Sequence, residues 1–109
     1  MDRRRALLLS GKRIFTVTVV ETTDWSGNNE SYVRYNGTDY GIGSSFKCKE
    51  GDTILCYLHG NWYGSKILLD GNVVATAVNP SYEMTVESNI TVEVAGASYG
   101  EAKMYIKTK

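Results

Sequence analysis

The sequence predicts an all-β chain: an antiparallel two-sheet sandwich of about seven to nine short strands. Three observations carry this. Two dipeptides, Asn36-Gly37 and Asp70-Gly71, sit between apolar-alternating runs, and both suit a two-residue type I′ turn, which needs φ > 0 at each central position. Apolar residues recur at every second position from Arg13 almost to the C-terminus, the period of a half-buried strand. Eleven glycines and a single proline, Pro80, suit many tight turns, and no run carries the 3.6-residue period of a helix of useful length.

The elements follow in order. Arg13 to Val20 is a strand with Phe15, Val17 and Val19 on one face and Thr16 and Thr18 on the other. Thr22 to Glu30 is a polar loop. Ser31–Tyr35 and Thr38–Ile42 form a hairpin about Asn36-Gly37. In its register Tyr35 faces Thr38, Arg34 faces Asp39 and Val33 faces Tyr40. A one-residue slip loses both the charge pair and the apolar pair, which supports that register. Ser45–Lys49 and Thr53–Leu58 are read as a second hairpin about Glu50-Gly51-Asp52. Ser65–Leu69 and Asn72–Ala77 flank Asp70-Gly71, with Leu68 facing Val73. Beyond Pro80, Tyr82, Met84 and Val86 share one face of a strand, and Ile90, Val92 and Val94 share one face of the next. These two runs either pair through Glu87-Ser88-Asn89 or face each other across the sandwich. Glu101–Lys107 closes the set, with Ala102, Met104 and Ile106 inward.

A length of 109 residues fits one domain. We assign residues 13–109 to the β-sandwich and residues 1–12 to a basic N-terminal arm outside the core. Net charge is zero but unevenly spread: residues 1–13 sum to +4, residues 103–109 to +3, and the stretch between to −7. A basic arm on an acidic body is suited to docking on an acidic protein neighbour, through Arg3, Arg4 and Arg5 with Leu7, Leu8 and Leu9. The acidic body argues against nucleic acid. No apolar run is long enough for a membrane-spanning helix. The apolar stretch Ala6–Leu9 is too short for a signal-peptide core, so an intracellular start is expected. Cys48 and Cys56 fall on diagonal positions of the second expected hairpin, roughly 7–8 Å apart, near the limit for a disulfide. They are expected to be buried free thiols.

Residues 32–94 resemble small bacterial immunoglobulin-like modules. The resemblance rests on Tyr32-Val33-Arg34-Tyr35-Asn36-Gly37, on Lys49-Glu50-Gly51-Asp52-Thr53-Ile54 and on Ile67-Leu68-Leu69-Asp70-Gly71-Asn72-Val73. Tyr82-x-Met84-x-Val86 followed by Ile90-x-Val92-x-Val94 completes it. Modules of this kind occur on bacterial surface proteins and in virion and tail proteins of phages and prophages of Gram-positive bacteria. The opening Met1-Asp2-Arg3-Arg4-Arg5-Ala6-Leu7-Leu8-Leu9 is similar to that of small structural proteins of such prophages. The resemblance implies an immunoglobulin-like sandwich in a virion, assembled in the bacterial cytoplasm, with the bacterial cell surface as the alternative. The implied partners are other virion or surface subunits, a host glycan, or further copies of the chain. No catalytic or binding residues carry over.

The residues themselves favour a binding role over catalysis. His59 is the single histidine, and nothing in the spacing builds a nucleophile–base set around it. Asp24-x-Ser26-x-Asn28 alternates oxygens like the start of a calcium loop. Asn29 stands where that loop needs glycine, and Tyr35 where it needs glutamate. Two cysteines and one histidine do not form a zinc set, so neither metal nor cofactor is expected. The glycosylation triplets at Asn29, Asn36 and Asn89 are discounted, because Asn36 and Asn89 already have turn roles. The aromatic pair Trp62-Tyr63 lies between Gly60 and Gly64 at a loop tip. Exposed rings there suit stacking on sugars or anchoring a protein interface, although a loop tryptophan also serves to cap an open core. Trp25 can join this set, with Asn61 and His59 supplying hydrogen bonds.

Overall fold

Both predicted hairpin turns have the backbone their residue types require. Asn36 and Gly37 have φ of 52° and 79°, and Asp70 and Gly71 have φ of 49° and 90°. This is the left-handed region that Asn, Asp and Gly tolerate best. The computed structural model describes residues 12–22, 30–60, 63–96 and 102–109. These contain ten strands: β1 (Ile14–Glu21), β2 (Tyr32–Tyr35), β3 (Thr38–Gly41), β4 (Ser45–Lys49) and β5 (Thr53–Tyr57), then β6 (Lys66–Leu69), β7 (Asn72–Thr76), β8 (Ser81–Thr85), β9 (Ile90–Ala95) and β10 (Lys103–Thr108). Among the described residues there is no helix.

The strands form two sheets, a six-stranded one in the order β4-β1-β9-β10-β6-β7 and a four-stranded one in the order β3-β2-β5-β8. The β2–β3 hairpin has the predicted register, with Arg34 opposite Asp39 and Val33 opposite Tyr40. In the β6–β7 hairpin Leu68 lies opposite Val73, and a bulge follows, so that Ile67 pairs with Ala75 and Val74 is the extra residue.

Three expectations are corrected. The described residues hold ten strands, against about seven to nine expected. The ladders are not all antiparallel, since β1 runs parallel to β9 and β10 parallel to β6. Most consequentially, β4 and β5 do not pair. β4 lies against β1, with Val17 opposite Phe46, while β5 lies between β2 and β8. Glu50-Gly51-Asp52 therefore crosses from one sheet to the other. The alternation is blind to this, because Phe46 and Cys48 from one layer and Ile54 and Cys56 from the other all point into the same core. β8 and β9 likewise belong to different sheets, which selects the second of the two arrangements expected for them.

The core gathers Val17, Val19, Val92, Met104, Ile106 and Ile67 from the larger sheet against Val33, Ile54 and Leu58 from the smaller, all fully buried. Each such side chain contributes about 1.5–3 kcal/mol on leaving water. The Phe46 ring is seated between the sheets. It stacks on Tyr40 at 4.1 Å and on Tyr35 at 5.5 Å, centroid to centroid. At the sheet crossing the Tyr35 hydroxyl donates to Asp52 Oδ2 (2.6 Å), and the Lys49 N–H donates to the Tyr35 oxygen (3.4 Å). The Gly51 N–H donates to the Val86 carbonyl, and the Val86 N–H to the Asp52 carbonyl.

Candidate functional site

The start of β1 and the finish of β5 lie at opposite ends of the sheets. β1 starts beside the sheet crossing: the Glu50 N–H donates to the Arg13 carbonyl, and Arg13 donates its backbone N–H and its Nη2 to the Glu50 carboxylate (3.2 and 3.1 Å). That guanidinium holds the Glu50 carboxyl below its ordinary range. The Asn36-Gly37 and Asp70-Gly71 turns lie at the same end. At the other end lie the finish of β1, β5 and β9 and the loop from Leu58 to Ser65. With eight residues in β1, the two ends stand about 26 Å apart at the usual rise per residue.

At the loop end the backbone is firmly held. The His59 N–H donates to Ser31 Oγ (2.9 Å). The Gly60 N–H donates to Asn79 Oδ1 (2.9 Å), and the Asn79 N–H returns a bond to the Gly60 carbonyl (2.8 Å). Ser65 is completely buried; its hydroxyl accepts from the Ala102 N–H (3.2 Å) and its carbonyl from the Ala77 N–H (3.1 Å). Gly60 is required here, because a Cβ would collide with Ser65 Oγ and come within 3.1 Å of the Ala102 Cβ. From this base Tyr63 projects into solvent, 81% exposed.

His59 lies two positions beyond Tyr57, the last residue of β5, whose ring is on the outward side of the smaller sheet. Its Nδ1 lies 3.9 Å from Glu30 Oε1. The same outward side carries a feature that sequence reading missed. Tyr32 lies directly opposite Tyr57, and their rings stack at 4.8 Å. The flanking residues of this row are Gly41 and Ser81. A Cβ on Gly41 would meet nothing within 4 Å, and Ser81 is small, so the tyrosine pair stands above its neighbours. One row along, Arg34 forks onto Asp39 (2.6 and 3.2 Å), reaches the Tyr32 hydroxyl (3.3 Å) and sits over its ring at 5.2 Å. The pairing holds the Asp39 carboxyl below, and the Arg34 guanidinium above, their ordinary values. Tyr32, Tyr57, Arg34 and Asp39 thus form one continuous patch of ring faces and planar polar groups. Sequence alternation places Tyr32 and Tyr57 on outward positions. Only the β2–β5 ladder makes them neighbours.

Of the residues singled out from sequence, His59 and Tyr63 occupy the loop end. Arg3, Arg4, Arg5, Leu7, Leu8 and Leu9 lie outside the described residues, as do Trp25, Asn61, Trp62 and the Asp24-x-Ser26-x-Asn28 run. Among the described residues no group of three or more His, Cys, Asp and Glu side chains could hold a metal ion. No described helix is long and apolar enough to cross a membrane. Comparison with known proteins finds no matching family model, no matching curated protein and no matching solved structure.

Proposed function

We propose that this chain is a non-catalytic interaction module of the immunoglobulin-like kind, an accessory protein of a phage or prophage virion that decorates a capsid or tail. The observation that carries this reading is the bipolar layout. β1 begins at the end marked by Arg13 and Glu50, and the firmly held backbone at His59 and Gly60, with the exposed Tyr63, occupies the opposite end. A module that docks through one end keeps the other free for contact. Docking is by Arg3, Arg4 and Arg5 with Leu7, Leu8 and Leu9. Exposed ion pairs contribute only about 0.2–1 kcal/mol each, so the leucines, at about 1.5–3 kcal/mol each when fully buried, dominate the affinity. Deleting residues 1–12 is expected to abolish incorporation into particles while leaving the strand signature in circular dichroism. Unchanged incorporation would sink the docking role.

A second reading, a carbohydrate-binding or adhesin module, is favoured by the Tyr32–Tyr57 pair and its fork of Arg34 and Asp39. Sugars are recognised by aromatic faces combined with planar hydrogen-bonding groups. The contact residues read from the sequence for this role are Trp62, Tyr63, Trp25, Asn61 and His59, of which Tyr63 and His59 lie among the described residues. An array of bacterial polysaccharides probed with the parent chain, Tyr57→Ala and Trp62→Ala tests it. Binding lost in either variant supports the reading, and the absence of any bound polysaccharide leaves the structural role alone.

A further inference from the structure

We propose that β7 is a self-pairing edge: two copies of the chain join β7 to β7 in antiparallel fashion about a twofold axis, fusing their six-stranded sheets into one. Among the described residues the sandwich has four edge strands, β4, β7, β3 and β8. Three carry charge, Lys47 and Lys49 on β4, Asp39 on β3 and Glu83 on β8, the usual guard against edge-to-edge association. β7 carries none, and the whole stretch from Gly71 to Asn79 is free of Asp, Glu, Lys and Arg. Val73 and Val78 in this stretch are 51% and 38% exposed, two of the few large apolar side chains so open to solvent.

The face pattern of β7 identifies the occupant as a second copy. Strands pair only if residues directly opposite point to the same side of the sheet. Val73 lies opposite Leu68 and Thr76 opposite Lys66, both on the outer face, while Val74 and Ala75 pack on the core. The bulge makes this possible, since without it residues three apart would fall on opposite faces. A twofold axis beside the Val74–Ala75 peptide therefore sets Val73 opposite Thr76 of the second copy and Val74 opposite its Ala75. Every pair from Val73 to Thr76 matches in face, which uses all of β7 but Asn72. Such an isologous contact closes at two copies. The formal net charge of zero removes long-range repulsion between copies. The strand is short and the interface falls below the roughly 1,000 Å² of a stable complex, so association is weak and favoured where copies are concentrated, as on a particle surface.

Sedimentation equilibrium across two decades of concentration, up to about 1 mM where interfaces this small associate, is the test. The mass is expected to rise from the 12.1 kDa of one chain toward twice that value. Val73→Lys and Thr76→Lys should each hold it at one chain, with circular dichroism and urea midpoint confirming the fold. The Val73 and Thr76 amides of the parent should exchange more slowly with deuterium as concentration rises. Four results would overturn the proposal: a constant mass of one chain, growth past two chains, association unchanged in both lysine variants, or association lost on deleting residues 1–12.

Discussion

Cys48 and Cys56 are both free and buried, and each is held by a different layer, Cys48 by β4 and Cys56 by β5. Desolvation pushes the Cys56 thiol up to about 12 and raises that of Cys48. The thiolate is the reactive form, so both should resist Ellman's reagent in the folded chain and react together once urea unfolds it. Rapid labelling of the native protein would contradict this. Tyr35 supplies a second test. Its hydroxyl donates to the Asp52 carboxylate, which raises the phenol to about 12, with burial adding to the shift. A folded value above the unfolded 10.0 means that the contribution is complete below pH 10 and fades as pH rises through about 12. Tyr35→Phe is expected to lower stability by about 1–3 kcal/mol at neutral pH, the range for a hydrogen bond to a charged group, as read from urea midpoints. It should also remove one late-titrating phenol from the ultraviolet titration.

Elements whose determinants are local were legible. Asn36-Gly37 and Asp70-Gly71 announce their hairpins because only a few residue types accept that backbone, and the ladders that follow keep the expected partners. Replacing Gly71 by valine places a β-branched residue at φ 90° and should cost at least roughly 1–2 kcal/mol, measured as a lower urea midpoint. Gly60→Ala meets a different obstacle, the collision with Ser65, and overpacking of this kind costs about 1–3 kcal/mol. It should also shift the amide resonances of His59 and Tyr63, which the same loop carries. The Ser45–Lys49 and Thr53–Tyr57 strands were legible one by one but not as partners. A three-residue connection serves a hairpin and a sheet crossing equally well, and both arrangements turn the same side chains inward. The site shares this divide. His59 and Tyr63 could be singled out from the sequence because loop chemistry is local, whereas the Tyr32–Tyr57 stack exists only through a ladder between strands separated by two others in the chain.

At the scale of the whole molecule, the end where β1 begins is tied by carboxylates. Arg13 holds Glu50 and Arg34 holds Asp39, and Thr108 donates its backbone N–H and its hydroxyl to Asp70. All three carboxyls lie below their ordinary values, in each case chiefly through these hydrogen bonds. A lowered folded value stabilises the chain above the unfolded pKa and ceases to do so as pH falls through the folded one. The urea midpoint should therefore be flat near neutrality and fall below about pH 4, where free Asp and Glu titrate. Asp70→Asn should reduce that fall, and a midpoint independent of pH down to 2 would refute the linkage. By itself the sequence determined the β class, the two tight turns, the alternation and which side chains seek the core, because each depends on a residue and its near neighbours. The tertiary structure decided which strands join, that two ladders run parallel, and that the start of β1 and the finish of β5 stand at opposite ends. The reason is physical: period-two alternation specifies a buried face but not the layer that buries it, and only the competition among strands for hydrogen-bonding neighbours resolves that choice.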